Sequence, residues 1–209
     1  MQDRGILLYR RFLDGDEGGL EQLIALYQRG LLRFIYSYVH DSALAEDIMQ
    51  EVFIQLYFKR SFQPRDDASF KTYLYKIARN KSLNELKKRK RKKEISLEKL
   101  QEKNKEPTKA NKTLTPSVLS PLSPEFFYGE NLEETLEKEQ RAHVLQSALD
   151  EINEEYRETL ILRYFDGLPI ETIAKITNKK VKQVYNLLSR GKVALKETLI
   201  KRGYDYENF

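Results

Sequence analysis

The 209-residue chain has 37 Lys and Arg against 32 Asp and Glu, a net charge of +5, and is 40% hydrophobic, enough to bury a core under a heavily charged surface. It has no cysteine, which excludes a disulfide framework, a thiol nucleophile and a cysteine-ligated metal. No apolar run is long enough to cross a membrane, and Met1-Gln2-Asp3-Arg4 is not followed by the apolar stretch of a signal peptide, so no membrane insertion is expected and a cytoplasmic location is the simplest reading.

The first part of the chain reads as helical. A short leading helix is expected before Asp14-Gly15-Asp16. Leu20, Leu23, Ile24, Tyr27, Leu31, Phe34, Ile35 and Tyr38 then recur at three- and four-residue steps, the period of one helix face. Asp41 and Ser42 break that pattern and can cap a second helix with Ile48, Val52 and Leu56 on one face. Glu46 and Asp47 fall early in it, where a helix favours negative charge. Residues 62–67 (FQPRDD) read as a loop. Ser69 can cap a third helix, with Phe70, Tyr73, Leu74 and Ile77 facing inward.

Charge is concentrated at the end of that third helix. Lys71 to Lys93 holds eleven cations and one acid, Glu85, a local charge of +10 that leaves the rest of the chain at −5. A concentrated basic segment on an acidic body suits a polyanion. The plainer alternative is a solvated, charged helix end.

From residue 94 to about 132 the pattern lapses. Four of the six prolines lie between Pro107 and Pro124, among Lys, Thr, Ser and Asn, which predicts a flexible linker. Phe126, Phe127 and Tyr128 near its end are an aromatic cluster of the kind that docks onto something.

Helical periodicity returns after residue 133. Leu145, Leu149 and Ile152 mark one helix, and Asn153 with Glu154 and Glu155 begins the next. That helix is expected to run to Phe165 and stop at Asp166-Gly167. Pro169 suits the first turn of a short helix with Ile170, Ile173 and Ala174 inward. Thr177-Asn178-Lys179-Lys180 is a turn in which Asn178 can take the left-handed conformation. A final helix follows, with Val181, Val184, Leu188 and Leu195 as its buried stripe. The segment from Leu168 to Leu195 therefore reads as a helix-turn-helix. Lys179, Lys180, Lys182, Gln183, Tyr185, Asn186, Ser189, Arg190 and Lys192 would face a DNA major groove, being hydrogen-bonding or phosphate-neutralising side chains. An αα-hairpin in an ordinary bundle is the alternative, but it has no need of an outer face without an acid between Glu171 and Glu197. The fold class expected is all-α: two small helical domains, 1–93 and 133–209, joined by a linker over 94–132.

Three segments resemble the extracytoplasmic-function group of bacterial RNA polymerase sigma factors. Residues 45–53 (AEDIMQEVF) are similar to the group's polymerase-binding motif. Residues 69–80 (SFKTYLYKIARN) are similar to its next one, with Tyr73 where a tryptophan is usual. Leu160 to Leu195 is similar to its helix-turn-helix region. The departures are Pro169 for a usual serine cap, Gly191 for alanine, Leu187 where a base is common, an unusually basic run over 87–93, and a long linker.

The resemblance implies binding to core RNA polymerase through the first motif. Asp47, Gln50 and Glu51 lie at i, i+3 and i+4, on one helix face, and could meet cationic and polar groups of a partner together. A surface that merely solubilises the helix is the bland reading. A metal site would need a third ligand that the sequence does not place, and no metal or cofactor is expected. The second motif implies promoter melting. Lys71, Tyr73, Tyr75, Lys76, Arg79, Asn80, Lys81, Asn84, Lys87 and Lys88, with the loop over 62–69, would hold extruded bases, at about 1–3 kcal/mol per stacked base. Tyr73 and Phe70 could instead be core residues. The third motif implies reading an upstream promoter element. The implied partners are core polymerase, promoter DNA and an anti-sigma factor, and no enzymatic activity is implied. Two other readings remain at this stage: a plain helix-turn-helix repressor or activator, which leaves the Asp47–Glu51 face unused, and a nucleic-acid enzyme, for which His40 and His143 are the only histidines and no phosphate loop is present.

Overall fold

A computed structural model of the chain describes residues 4–59, 70–103 and 135–204. The described residues are helical, with no strand among them. The N-terminal bundle consists of α1 (Arg4–Leu13), α2 (Glu17–Val39), α3 (Ser42–Lys59) and α4 (Phe70–Lys103). The C-terminal bundle consists of α5 (Thr135–Glu151), α6 (Glu154–Leu160), a π-helical turn (Ile161–Phe165), α7 (Ile170–Thr177) and α8 (Val181–Lys201). The expected loop over 62–69 with its Ser69 cap, most of the expected linker, and the aromatic cluster Phe126–Tyr128 lie outside the described residues.

Local chemistry sets the helix ends. The Asp16 side chain accepts from the Gly18 amide at 3.0 Å and begins α2. The Asp41 carboxylate accepts from the Leu44 amide at 3.1 Å and caps α3, so of the two expected candidates Asp41 is the cap. The Asn153 side chain accepts from the Glu155 amide at 2.9 Å and begins α6. One boundary differs from expectation: α4 does not stop at Lys93 but continues to Lys103, so ten residues assigned to the linker are helical. No proline falls in that stretch to interrupt the helical hydrogen bonds.

The apolar faces read from the sequence are the ones buried. Leu23, Tyr27, Leu31, Phe34, Ile35 and Tyr38 of α2 meet Ile48, Val52 and Leu56 of α3 and Phe70 and Leu74 of α4 in one core. In the C-terminal bundle α8 packs on α5, α6 and α7 through Val184 and Leu188. Val181 departs from its expected place in that stripe: at the first position of α8 it is exposed.

The two bundles also pack against each other. Helix α7 lies on α4, and α6 and the π turn lie on α2. Their apolar cores join in a single cluster.

Candidate nucleic-acid interface

The helix-turn-helix has the expected turn. Asn178 takes the left-handed conformation, with φ 56° and ψ 43°, and the Lys179 amide donates to the Ala174 carbonyl at 3.0 Å. The small Ala174 is buried beneath the crossing of α7 and α8. Pro169 stands one place earlier than expected, at the cap of α7, where its carbonyl accepts from Ile173 at 3.0 Å. Gly191 has a steric reason: a Cβ there would lie 3.2 Å from Tyr156 Cβ and 3.3 Å from Leu160 Cδ1. Helix α8 approaches α6 that closely.

Of the residues assigned to the groove-facing set, Lys180, Lys182, Gln183, Tyr185, Asn186, Ser189 and Arg190 are exposed together along α8 and its start, as is Lys192. Two already have work inside the fold. Gln183 Oε1 accepts from the Lys180 amide at 2.8 Å, which ends the turn, and Lys179 pairs with Glu155. Both contacts are at the exposed surface, where such pairs contribute little and can be exchanged for a phosphate or base.

On α3, Asp47 and Gln50 are exposed side by side, and Glu51 points to the same solvent face. Lys81 of α4 donates to Glu51 Oε2 at 2.7 Å. A side chain assigned to a polymerase contact is thus tied to one assigned to DNA. Among the described residues no three His, Asp or Glu side chains gather as a metal site would require.

The face of α4 is less open. Lys76, Asn80, Asn84, Lys87 and Lys88 are exposed, and Lys88 pairs with Glu85 at 3.2 Å. Tyr73 is half-buried, its ring 6.4 Å from that of Phe70, which is fully buried. Tyr75 is a correction: it is 1% exposed, with its ring 5.1 Å from Phe34, and is a core residue here rather than a platform for a base. Helical spacing explains the difference. Tyr75 lies three residues before the buried Ala78, on the broad side that meets the core with Leu74, while Lys76 and Asn80 take the opposite side. Burial, then the nearby negative charge of Asp166, pushes its phenol well above the ordinary tyrosine range.

Two cations of α4 are occupied by the C-terminal bundle. Arg79 Nε donates to Glu158 Oε1 at 2.7 Å, and Lys71 Nζ donates to the Asp166 carbonyl at 2.7 Å. Burial works against the charged Arg79, but the hydrogen bond and the charge of Glu158, together with Tyr38, outweigh it and hold the guanidinium more firmly protonated. The Asp166 carboxylate also accepts from Arg33 Nη2 of α2 at 3.1 Å, and the Arg33 guanidinium stands 5.3 Å over the Phe165 ring. Burial raises the Asp166 carboxyl above its ordinary range despite Arg33 and Lys71. Glu158 and Asp166 went unremarked as site residues in the sequence. Asp166 registered only as part of a helix stop, and no local pattern marks partners 79 and 133 residues away.

With this geometry in view, the comparisons with known proteins are decisive. The family profile Sigma-70 region 2 matches residues 23–92, and Sigma-70, region 4 matches residues 142–195. The chain belongs to the bacterial sigma factors, in the extracytoplasmic-function group. Its function is that of the family: to direct RNA polymerase to promoters and to transcription initiation. It is 28% identical over 205 residues to the RNA polymerase sigma-H factor of Pseudomonas aeruginosa, with 95% of each chain covered. It is 26% identical to the sigma factor SigW of Bacillus subtilis, covering 88% of this chain and 91% of that one. Among solved structures it is similar in fold to the sigma factor RpoE of Bartonella quintana, described in complex with the anti-sigma factor NepR. That match has TM-score 0.59 and 21% identity, over 86% of this chain and 95% of that one. CnrH, in complex with the cytosolic domain of CnrY, matches with TM-score 0.61 and 16% identity, over 95% and 97%. Region 2 thus corresponds to α2–α4 and region 4 to α5–α8.

Proposed function

We propose that this sigma factor engages core polymerase through the α3 face of Asp47, Gln50 and Glu51, holds the opened downstream strand along α4, and reads the upstream element with α8. The observation that carries this reading is the exposed row from Lys182 to Arg190 on α8, together with the Asp47–Gln50 face of α3 on the same chain. A plain repressor needs only the first of these. The α4 residues assigned to the strand are Lys71, Lys76, Arg79, Asn80, Lys81, Asn84, Lys87 and Lys88, with Tyr73 at the margin. Lysine and arginine supply phosphate neutralisation, while the asparagines can meet base edges. The chain adds no bond chemistry of its own; polymerase does that. No described helix is long and apolar enough to cross a membrane, and a cytoplasmic site of action fits the polymerase partner. An anti-sigma factor is a further proposed partner, because the similar RpoE fold was solved bound to one.

Reconstitution tests the reading. Purified core polymerase with this chain should yield transcripts starting at discrete promoters, and core alone should not. Asp47→Arg with Glu51→Arg should abolish those transcripts while leaving duplex binding by region 4 intact. Transcription that survives both reversals would remove α3 from the polymerase interface.

A further inference from the structure

We infer that α8 reads thymine in the upstream promoter element through the C5-methyl group, with Tyr185 and Val181 as the side chains that meet it. The inference deepens the reading of α8 above and rests on it.

Two exposed rows run along the first half of α8. Lys182, Asn186 and Arg190 stand four residues apart on one face and form a polar row. Val181, Tyr185 and Ser189 form a second row, each one residue ahead of a member of the first and so turned from it by about 100°. Val181 is 39% exposed and Tyr185 55% exposed. Neither is needed to hold the helix in place, because Val184 and Leu188 carry its packing and are buried. Apolar surface left in water disfavours the free chain, and a partner that covers it removes that cost.

The position and surroundings of this pair select the partner. Val181 is the first residue of α8 and Tyr185 lies about one turn further on, at the end of a recognition helix that meets base edges. Lys180, Lys182, Arg190 and Lys192 flank the pair with exposed cations for phosphate, and no acid falls between Glu171 and Glu197 to repel it. In the major groove every base presents hydrogen-bonding groups, and the thymine methyl is the apolar feature among them. Valine has no polar side-chain atom, so that methyl is the base-edge group it suits. The Tyr185 ring offers a larger face of the same kind, with a hydroxyl that can reach a phosphate. Leu187, half-buried where the family commonly has a base, leaves this face with one donor fewer for guanine, so more of the discrimination falls on apolar contact. The other exposed apolar residues of α8, Val193 and Ile200, begin about 18 Å further along the axis from Val181, away from the groove-entering end.

Deoxyuridine makes the test direct, because it removes the methyl and keeps every hydrogen-bonding group of thymine. Core polymerase with the full chain selects from promoter duplexes randomised over the upstream element. In an enriched duplex each thymine of that element is then replaced in turn by deoxyuridine. At one or two positions the exchange should weaken holoenzyme binding by about fourfold, the contribution of one desolvated methyl. Tyr185→Ala should bring thymine and uracil to parity at one such position, and Val181→Ala should lower the ratio at the same or the neighbouring one. Tyr185→Phe should keep the ratio, whereas Lys182→Ala should weaken thymine and uracil duplexes alike. Helix content by circular dichroism should be unchanged in all four, since each side chain is exposed. Enriched duplexes indifferent to every deoxyuridine exchange, or a ratio that survives both alanine substitutions, overturn the thymine reading and leave α8 as the DNA-reading helix. A ratio lost in Tyr185→Phe assigns the discrimination to the hydroxyl and overturns the methyl contact. Failure to enrich any upstream sequence would sink the reading of α8 itself, and this inference with it.

Discussion

The two helices proposed to face DNA share a charge sign and differ in what covers them. Helix α8 rests its apolar stripe on α5, α6 and α7 and leaves its polar row to solvent. Helix α4 is covered twice, by the region 2 core on the side of Phe70, Leu74 and Tyr75, and by region 4 at Lys71 and Arg79. A helix that docks as a finished surface can be rigid in the free chain. A similar run of basic residues is thus left open on α8 and partly taken up on α4, according to which oxygens lie across from it.

The largest expected effect breaks the covered face. Glu158→Ala leaves the Arg79 guanidinium, 20% exposed, without its carboxylate. Removing one partner of a buried pair should cost the closed chain about 3 kcal/mol, read as a lower urea midpoint. Ser189→Ala on the uncovered face should change stability by less than about 0.5 kcal/mol. In DNA binding, the Glu158→Gln, Asp166→Asn chain should show a steeper salt dependence on a single strand. One released cation, Arg79, would steepen the log–log slope by about 0.7. An unchanged slope would mean that Arg79 never reaches phosphate.

A second substitution tests how the open face is presented. Gly191→Val forces branched carbons into the space held by Tyr156 and Leu160, and should cost about 2 kcal/mol through overpacking. Gly191→Ala gains about 1 kcal/mol of helix propensity against a 3.2 Å contact, so its thermal midpoint should stay near that of the parent. At the turn, Asn178→Ala should cost about 1 kcal/mol because alanine resists a φ of 56°, whereas Asn178→Gly should not. Equal loss from both would mean that the Asn178 side chain, and not its backbone, holds the turn.

The smallest effect is a pH dependence at the start of α3. The Leu44 amide, then the Arg89 guanidinium, hold the Asp41 carboxyl below its ordinary range. A lowered folded value means that Asp41 contributes stability above the unfolded value of about 3.9, and that this is lost as pH falls through the lower folded value. Asp41→Asn should therefore flatten the acid limb of a stability-against-pH curve below pH 4 and leave the neutral region nearly unchanged. An unaltered acid limb would assign that limb to other carboxylates.

Much of this was legible in the amino-acid order, because it depends on neighbours within one helical turn. The caps at Asp41 and Asn153, the left-handed Asn178 and the inward faces of α2 and α3 all follow from residues three or four apart. The matches to regions 2 and 4 rest on motifs that are likewise local. What the order did not reveal needs two distant segments at once. Tyr75 read as a surface aromatic among lysines until α2 was laid across it. Val181 read as buried by period alone, yet at the first position of α8 it is exposed. Glu158 read as an ordinary helix residue and Asp166 as part of a helix stop, and only packing shows that each is buried against a cation of the other region. By itself, then, the sequence determined the helices, most of their ends and the family, while the end of α4 at Lys103 escaped it. The tertiary structure alone decided which of the basic side chains are at liberty, because a charge's partner is chosen by proximity in space, and a helical period carries no information about what lies opposite.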